Sequence, residues 1–279
     1  MNLLGLKQWR QSMTNNTKLI VSHAPFLHDG GRISTRNYNI MLATLPAVLM
    51  GFYHYGLMAV GVMALSISCS ILWELLFNII TKKEKTIGDG SSAVIGIIFA
   101  MMLPATSPWW LVLLGTFIAV VIGREIFGGI GGNPFNPVLT GIAILMMSWG
   151  KYFDFNLALI NYDMDFKMFY PLASLKYFGV SSIDSICVGD LMLGRQPSAI
   201  GAGFGLGIIG GGLYLIIRGF IRWEISVSFF AGVFITSMLF SIVAPTNYAG
   251  PFFHIFTGYT LLGIFFLATE DSSSPIKHK

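Results

Sequence analysis

Charged side chains are absent from five long stretches, residues 37–73, 90–123, 126–150, 196–217 and 225–269. A bilayer-spanning helix needs about 20 mostly apolar residues, so several of these stretches have room for two. Turn-forming clusters divide them at Tyr55-Gly56, Pro104 to Pro108, Asn133 to Pro137 and Pro245 to Pro251. The pattern predicts about eight helices, near 39–55, 57–80, 91–103, 109–125, 137–150, 199–217, 224–243 and 252–268. The third and fifth are short. At ~1.5 Å per residue they cross only part of a ~30 Å hydrocarbon core, as discontinuous helices do around a polar site at membrane depth. Alternation with period two is missing, which argues against β-barrel strands.

Composition supports the same reading. Only 11% of the 279 residues are charged and 54% are hydrophobic, so the chain cannot clothe a water-facing surface, and a soluble enzyme or a nucleic-acid-binding domain is excluded. The charges set the orientation. With a cytoplasmic N-terminus, thirteen of the 17 basic residues fall on the cytoplasmic side. The loop 151–196 on the other side carries four basic and five acidic residues, as the positive-inside rule expects. Met1 to Leu6 is too short an apolar stretch for a secretory signal.

A short motif recurs. Pro134-Phe135 precedes Thr140-Gly141 by four residues, and Pro251-Phe252 precedes Thr257-Gly258 by four. The two copies fall on opposite sides of the membrane, so helices 3–5 and 6–8 are expected to be inverted repeats with a polar site at their interface. The chain then divides into a cytoplasmic segment 1–38, two peripheral helices 39–80, a first repeat 88–150, an outer loop 151–197, a second repeat 198–268 and a cytoplasmic tail 269–279.

Candidate chemistry is sparse. Cys69 and Cys187 lack CxxC spacing and cannot hold an iron–sulfur cluster by themselves. His54 and His254, near the outer ends of their helices, read as interfacial histidines or as a haem pair. The stretch Gly128 to Pro137 is the strongest local signal. Gly129 and Gly131 let backbone approach a ligand, and the amides of Asn133 and Asn136 can meet the donors and acceptors of a flavin ring; equally, the stretch is a tight helix break with an Asn cap. Asp89, at the start of the third helix, and Asp271, after the eighth, read either as a cap and a solvated carboxylate or as holders of a cation or a ligand's hydroxyls. Glu74 is the one acid placed inside the membrane, where it either has a function or snorkels toward Lys82 and Lys83. The glycines from Gly201 to Gly212 suggest a face for close helix packing.

Four segments carry a resemblance: Val21 to Pro25, Asp89 to Gly96, Arg124 to Pro137 and His254 to Asp271. Across nearly the whole chain, the sequence resembles the family of the D subunit of the Rnf complex and the B subunit of the Na⁺-translocating NADH:quinone reductase. The resemblance implies an all-α polytopic membrane protein of urea-transporter-like fold in the inner (cytoplasmic) membrane. It also implies a flavin-carrying subunit that moves electrons within an ion pump, with other Rnf- or Nqr-like membrane, iron–sulfur or flavin subunits as partners and lipid around it. The asparagines matching Asn133 and Asn136 lie at a non-covalent flavin site in that family, so riboflavin or FMN is expected there. Two features depart from the pattern. The outer loop lacks the Ser/Thr-Gly-Ala-Thr flavin-attachment motif, and Gly201-Ala202-Gly203 lacks the usual Glu and Thr. Covalent FMN is therefore not expected. The competing readings are a small-solute channel or carrier and a structural subunit without flavin.

Overall fold

The computed structural model describes residues 33–82, 87–129, 131–162, 166, 168–183 and 186–270. Helices dominate these residues, and no strand occurs among them. The first helix, α1 (Ile33–Thr81), is interrupted at Gly56, whose φ of 61° is open to glycine because it has no Cβ to clash. Near the start of α1, the Asn37 amide donates to the Asp89 carbonyl at 2.7 Å. Near its end, Glu74 meets Arg124, which also donates to Ser92 Oγ at 3.2 Å. Asp89 and Ser92 are close in sequence, so both ends of α1 return to one level. Gly56 is thus the tip of a hairpin with arms 33–55 and 57–81, each roughly 35 Å long at ~1.5 Å per residue.

Helix α2 (Ser91–Met101) wedges against this hairpin. A Cβ on Gly96 would sit 2.9 Å from Ile67 Cα, and Ser66 Oγ donates to the Gly96 carbonyl at 2.7 Å. After the break at Pro104 to Pro108, α3 (Trp109–Phe117) runs into a π-helical turn, Ile118–Ile122. Helix α4 (Pro137–Trp149) begins with Asn136 accepting from Leu139 N, and with Pro137 where its missing N–H costs nothing. The following loop holds the short helices α5 (Phe155–Ala158), α6 (Pro171–Phe178) and α7 (Val188–Leu193). Helices α8 (Gly205–Ile217) and α9 (Trp223–Val243) come next. The last span is divided into α10 (Pro251–Phe256) and α11 (Thr260–Leu262), and α11 leads into a second π-helical turn, Gly263–Leu267.

Two expected helices differ. The one predicted over 199–217 starts only at Gly205. Residues 199–204 form no helix, because Ile200 N and Gly201 N donate to the Leu103 and Met101 carbonyls at 3.0 Å each, across the end of α2. Gly201 permits this approach, since a Cβ would overlap the Met101 side chain. The helix predicted over 252–268 is unwound between α10 and α11, where Gly258 has φ 66°. The expected breaks at Gly56, Pro104 to Pro108, Asn133 to Pro137 and Pro245 to Pro251 all interrupt helix.

The recurring motif has a common local geometry. Thr140 Oγ1 donates to the Asn136 carbonyl at 3.0 Å, and Thr257 Oγ1 to the Phe253 carbonyl at 2.7 Å; each acceptor lies two residues after the motif's proline. The copies then diverge. Gly141 stays inside α4 against the Gly115 carbonyl, whereas Gly258 turns the chain.

Ile33–Thr81, Trp109–Phe127 and Trp223–Val243 are long and apolar enough to cross a bilayer. On α9 only Ser226 is buried, so Val227, Ile235, Leu239 and Val243 face outward on a surface suited to hydrocarbon and not to water. The fold is that of a helical, multi-pass membrane protein. Its centre is filled by fully buried Phe99, Met101, Leu103, Leu111, Leu145 and Leu262.

Candidate functional site

Where the start of α1 meets α2, a cavity of about 290 Å³ opens. Ile40, Ile95, Ile98 and Phe265 give it apolar walls, while Arg36, Asn37, Ser91, Arg124, Asn133 and Glu270 bring polar groups to it. Each polar group arrives through local structure. The αL turn at Gly90 (φ 72°) starts α2, and Asp89 Oδ1 accepts from Ser91 N at 2.9 Å and Ser91 Oγ at 2.6 Å. Arg124 follows the π-helical turn of α3, and Phe265, Phe266 and Thr269 belong to or follow the second π-helical turn. Single π turns interrupt regular helical packing, and they often sit at functional sites.

Arg124 is the electrostatic centre. It is 4% exposed, with Nη2 3.7 Å from Glu74 Oε1 and Nε 3.4 Å from Glu125 Oε1. Both carboxylates are equally sequestered. Removing charges from water costs several kcal/mol per ion unless partners and hydrogen bonds compensate, so the three groups depend on one another. Glu74 is accordingly paired with Arg124 inside the protein, while Lys83 lies outside the described residues.

The site residues expected from the sequence divide among different tasks. Asn133 is buried and lines the cavity, its Nδ2 donating to the Phe135 carbonyl at 2.9 Å. Asn136 does not line it; its amide caps α4 through Leu139 N and donates to the Leu267 carbonyl at 3.1 Å. Gly129 and Gly131 have φ of 94° and 85°, and a Cβ on either would meet nothing within 4 Å. These glycines are therefore set by backbone conformation, and the space beside them is open. Asp89 is not itself in the cavity lining; its carboxylate holds Ser91 and its carbonyl holds Asn37, and both of these line it. Asp271 lies outside the described residues.

Sequence reasoning counts Arg124 among the cytoplasmic basic residues and names neither it nor Asn37 as a site residue. One signal was present: Arg124 and Glu125 are the only charges between Gly90 and Gly150.

The cavity lies wholly within the part of the chain that known proteins share. The model of the NQR2, RnfD, RnfE family matches residues 20–279, which includes every residue of the cavity. The D subunit of the Na(+)-translocating ferredoxin:NAD(+) oxidoreductase complex of Acetobacterium woodii is 32% identical over 267 residues, covering 95% of this chain and 81% of that protein. Its counterpart in the proton-translocating ferredoxin:NAD(+) oxidoreductase complex of Clostridium ljungdahlii, also a D subunit, is 30% identical over 266 residues, 93% of this chain and 80% of its own. The D subunit of the ion-translocating oxidoreductase complex of Cronobacter sakazakii is 28% identical over 296 residues, with 93% and 84% covered. A family match running from residue 20 to residue 279, on a helical membrane fold, makes this chain a member of the NQR2, RnfD, RnfE family.

Proposed function

We propose that this chain is a membrane subunit of an Rnf-like complex that couples electron transfer of the ferredoxin/NAD type to ion translocation. In this reading, other Rnf-like subunits are its partners, and the cavity beside Arg124 and Asn133 holds a non-covalent flavin, riboflavin or FMN. The carrying observation is the meeting of apolar walls with a buried cation and a buried amide at one Gly-rich connector. That chemistry fits an amphipathic heteroaromatic ring. Ile95, Ile98 and Phe265 would exclude water from its faces, and Arg124, Asn133 and Ser91 would meet its polar edge. When bound, the flavin would supply a carrier of one or two electrons. Asn136 would act by holding the connector to Leu267, and Gly129 and Gly131 by leaving the approach open. Asp89 would hold Ser91 in place, and Asp271 stays with the proposed site on the resemblance alone. Covalent FMN is not proposed, because the attachment motif is missing.

The finer architecture belongs to the same proposal: eight crossings, two inverted three-helix repeats at 88–150 and 198–268, a urea-transporter-like fold, and a cytoplasmic N-terminus in the inner membrane. The matched threonine bonds and the backbone bonds from 200 and 201 to 103 and 101 support it. A solute channel gains nothing from the centre of the molecule, where these backbone bonds and the buried Phe99, Met101 and Leu103 fill the crossing. The decisive experiment is purification of the complex and identification of flavin released on acid denaturation. Flavin in stoichiometric amount, reduced several-fold by Asn133→Leu, is the expected result. A complex without flavin, or one whose flavin is indifferent to Asn133, would sink the site.

A further inference from the structure

Two carboxylates serve the one buried guanidinium of Arg124, although one is enough to neutralise it. Glu74 reaches Nη2 from the second arm of α1 at 3.7 Å, and Glu125 reaches Nε from the connector at 3.4 Å. Glu125 is only 4% exposed and does not line the cavity itself. Its place is fixed by backbone, since it opens the short turn Glu125–Phe127, which Gly128 N closes by donating to the Glu125 carbonyl at 3.1 Å. Taking a second acid out of water is costly, and a guanidinium that is already paired does not require it. The other charged residues of the lining, Arg36 and Glu270, are half-buried and of opposite sign. Two arginines therefore face three acids, and one negative charge is in excess around the cavity.

We infer that Glu125 is a positioning residue for the flavin proposed above: it holds Arg124 at the cavity and, together with Glu74, turns the site negative, which lowers the reduction potential of the bound ring. The inference rests on the flavin reading. An iron–sulfur donor of the ferredoxin class delivers two electrons, and with one proton taken from water the neutral ring becomes singly negative. A buried arginine with no acid behind it would favour that product and make the ring a trap for electrons. Two carboxylates outweigh the single cation, so the reduced ring can pass its electrons on. Glu125 lies one guanidinium away from the cavity. A unit charge within about 12 Å, at an effective permittivity near ~20, is worth about tenfold in an equilibrium constant.

The test is a redox titration of the purified complex containing the full chain, followed by flavin absorbance. The component that Asn133→Leu removes is the one that belongs to this site. Glu125→Gln should retain that component at wild-type stoichiometry and raise its midpoint potential by about 30 mV, the two-electron equivalent of a tenfold change. Glu125→Asp keeps the charge and should stay near the wild-type value. Glu74→Gln removes the other acid and should also raise the potential, so it tests the same charge excess if Glu125→Gln fails to assemble. An unchanged potential in the glutamine variants, with flavin bound, overturns the role of Glu125 and leaves the flavin site standing. So does a rise in Glu125→Asp as large as that in Glu125→Gln, because geometry and not charge would then set the potential. A titration with no component sensitive to Asn133 sinks the flavin site itself, and this inference with it.

Discussion

Arg124 Nη2 lies 3.7 Å from Glu74 Oε1, although the two residues come from different helices and their side chains are only 5% and 1% exposed. This contact, with Glu125 beside Nε of the same guanidinium, fastens the second arm of the hairpin to the connector that lines the cavity. Breaking a buried pair by removing one partner costs more than the pair contributes, because the survivor stays buried without its counter-charge. Arg124→Leu takes the guanidinium away from both buried carboxylates and should destabilise the chain by about 3–5 kcal/mol. Glu74→Gln leaves Arg124 with Glu125 and should cost clearly less. Thermal unfolding of the purified complex ranks the two variants; an equal or inverted order would refute this account of the cluster.

The two asparagines should separate in the same assay. Asn136→Leu removes the cap of α4 and leaves the Leu267 carbonyl without its buried donor, for a combined loss of about 2–4 kcal/mol. Asn133→Leu keeps both and gives up its bond to the Phe135 carbonyl, so it should lower the melting temperature less than Asn136→Leu while reducing flavin content. If the stability loss fell on Asn133 and the flavin loss on Asn136, the assignment of tasks would be reversed.

Much of this architecture was legible because apolar runs and turn clusters act locally. Tyr55-Gly56 and Pro104 to Pro108 announce breaks whatever lies around them. What the sequence withheld depends on distant partners. The run from Gly201 reads as helix, yet residues 199–204 are recruited by carbonyls at the end of α2. Glu74 reads as an isolated intramembrane acid because its partner lies in another helix. Asn133 and Asn136 share one motif and one amide chemistry, so spacing alone cannot show that one lines a cavity and the other ties down a helix.

Alkaline stability is expected to report on the loop 151–197. Burial pushes the Tyr170 hydroxyl up to about 12 from an ordinary value of 10.0, with its ring packed 4.9 Å from that of Phe155. The folded value lies above the unfolded one. The neutral tyrosine therefore contributes fully below pH 10 and is lost as pH rises toward 12, for up to about 2–3 kcal/mol. Chemical denaturation between pH 9 and roughly 12 should show this slope, and Tyr170→Phe should flatten it. A variant as pH-sensitive as the wild type would assign the slope to another group.

Three adjacent glycines in α8 offer the sharpest test of the packing. Gly210, Gly211 and Gly212 are indistinguishable by propensity, and alanine should stabilise a helix interior by about 0.5–1 kcal/mol at each if nothing else intervened. Their surroundings differ. A Cβ on Gly210 meets nothing within 4 Å, so Gly210→Ala should be neutral or stabilising. On Gly212 it would overlap the Phe265 ring, a side chain that lines the cavity and can shift only by disturbing it. On Gly211 it would overlap the Ala43 carbonyl oxygen, which is backbone in the first arm of α1 and cannot turn aside. Relief there requires α8 and the hairpin to separate along the contact that Gly207 also makes at Ala47 N. The expected order of destabilisation is Gly211→Ala, then Gly212→Ala, with Gly210→Ala least. Overpacking of this kind costs about 1–3 kcal/mol, and a backbone obstacle puts Gly211 at the upper end. The order is read from melting temperatures of the three purified variants. Gly212→Ala should in addition alter flavin content, because Phe265 moves with it, whereas Gly211→Ala should lower stability with flavin per folded chain preserved.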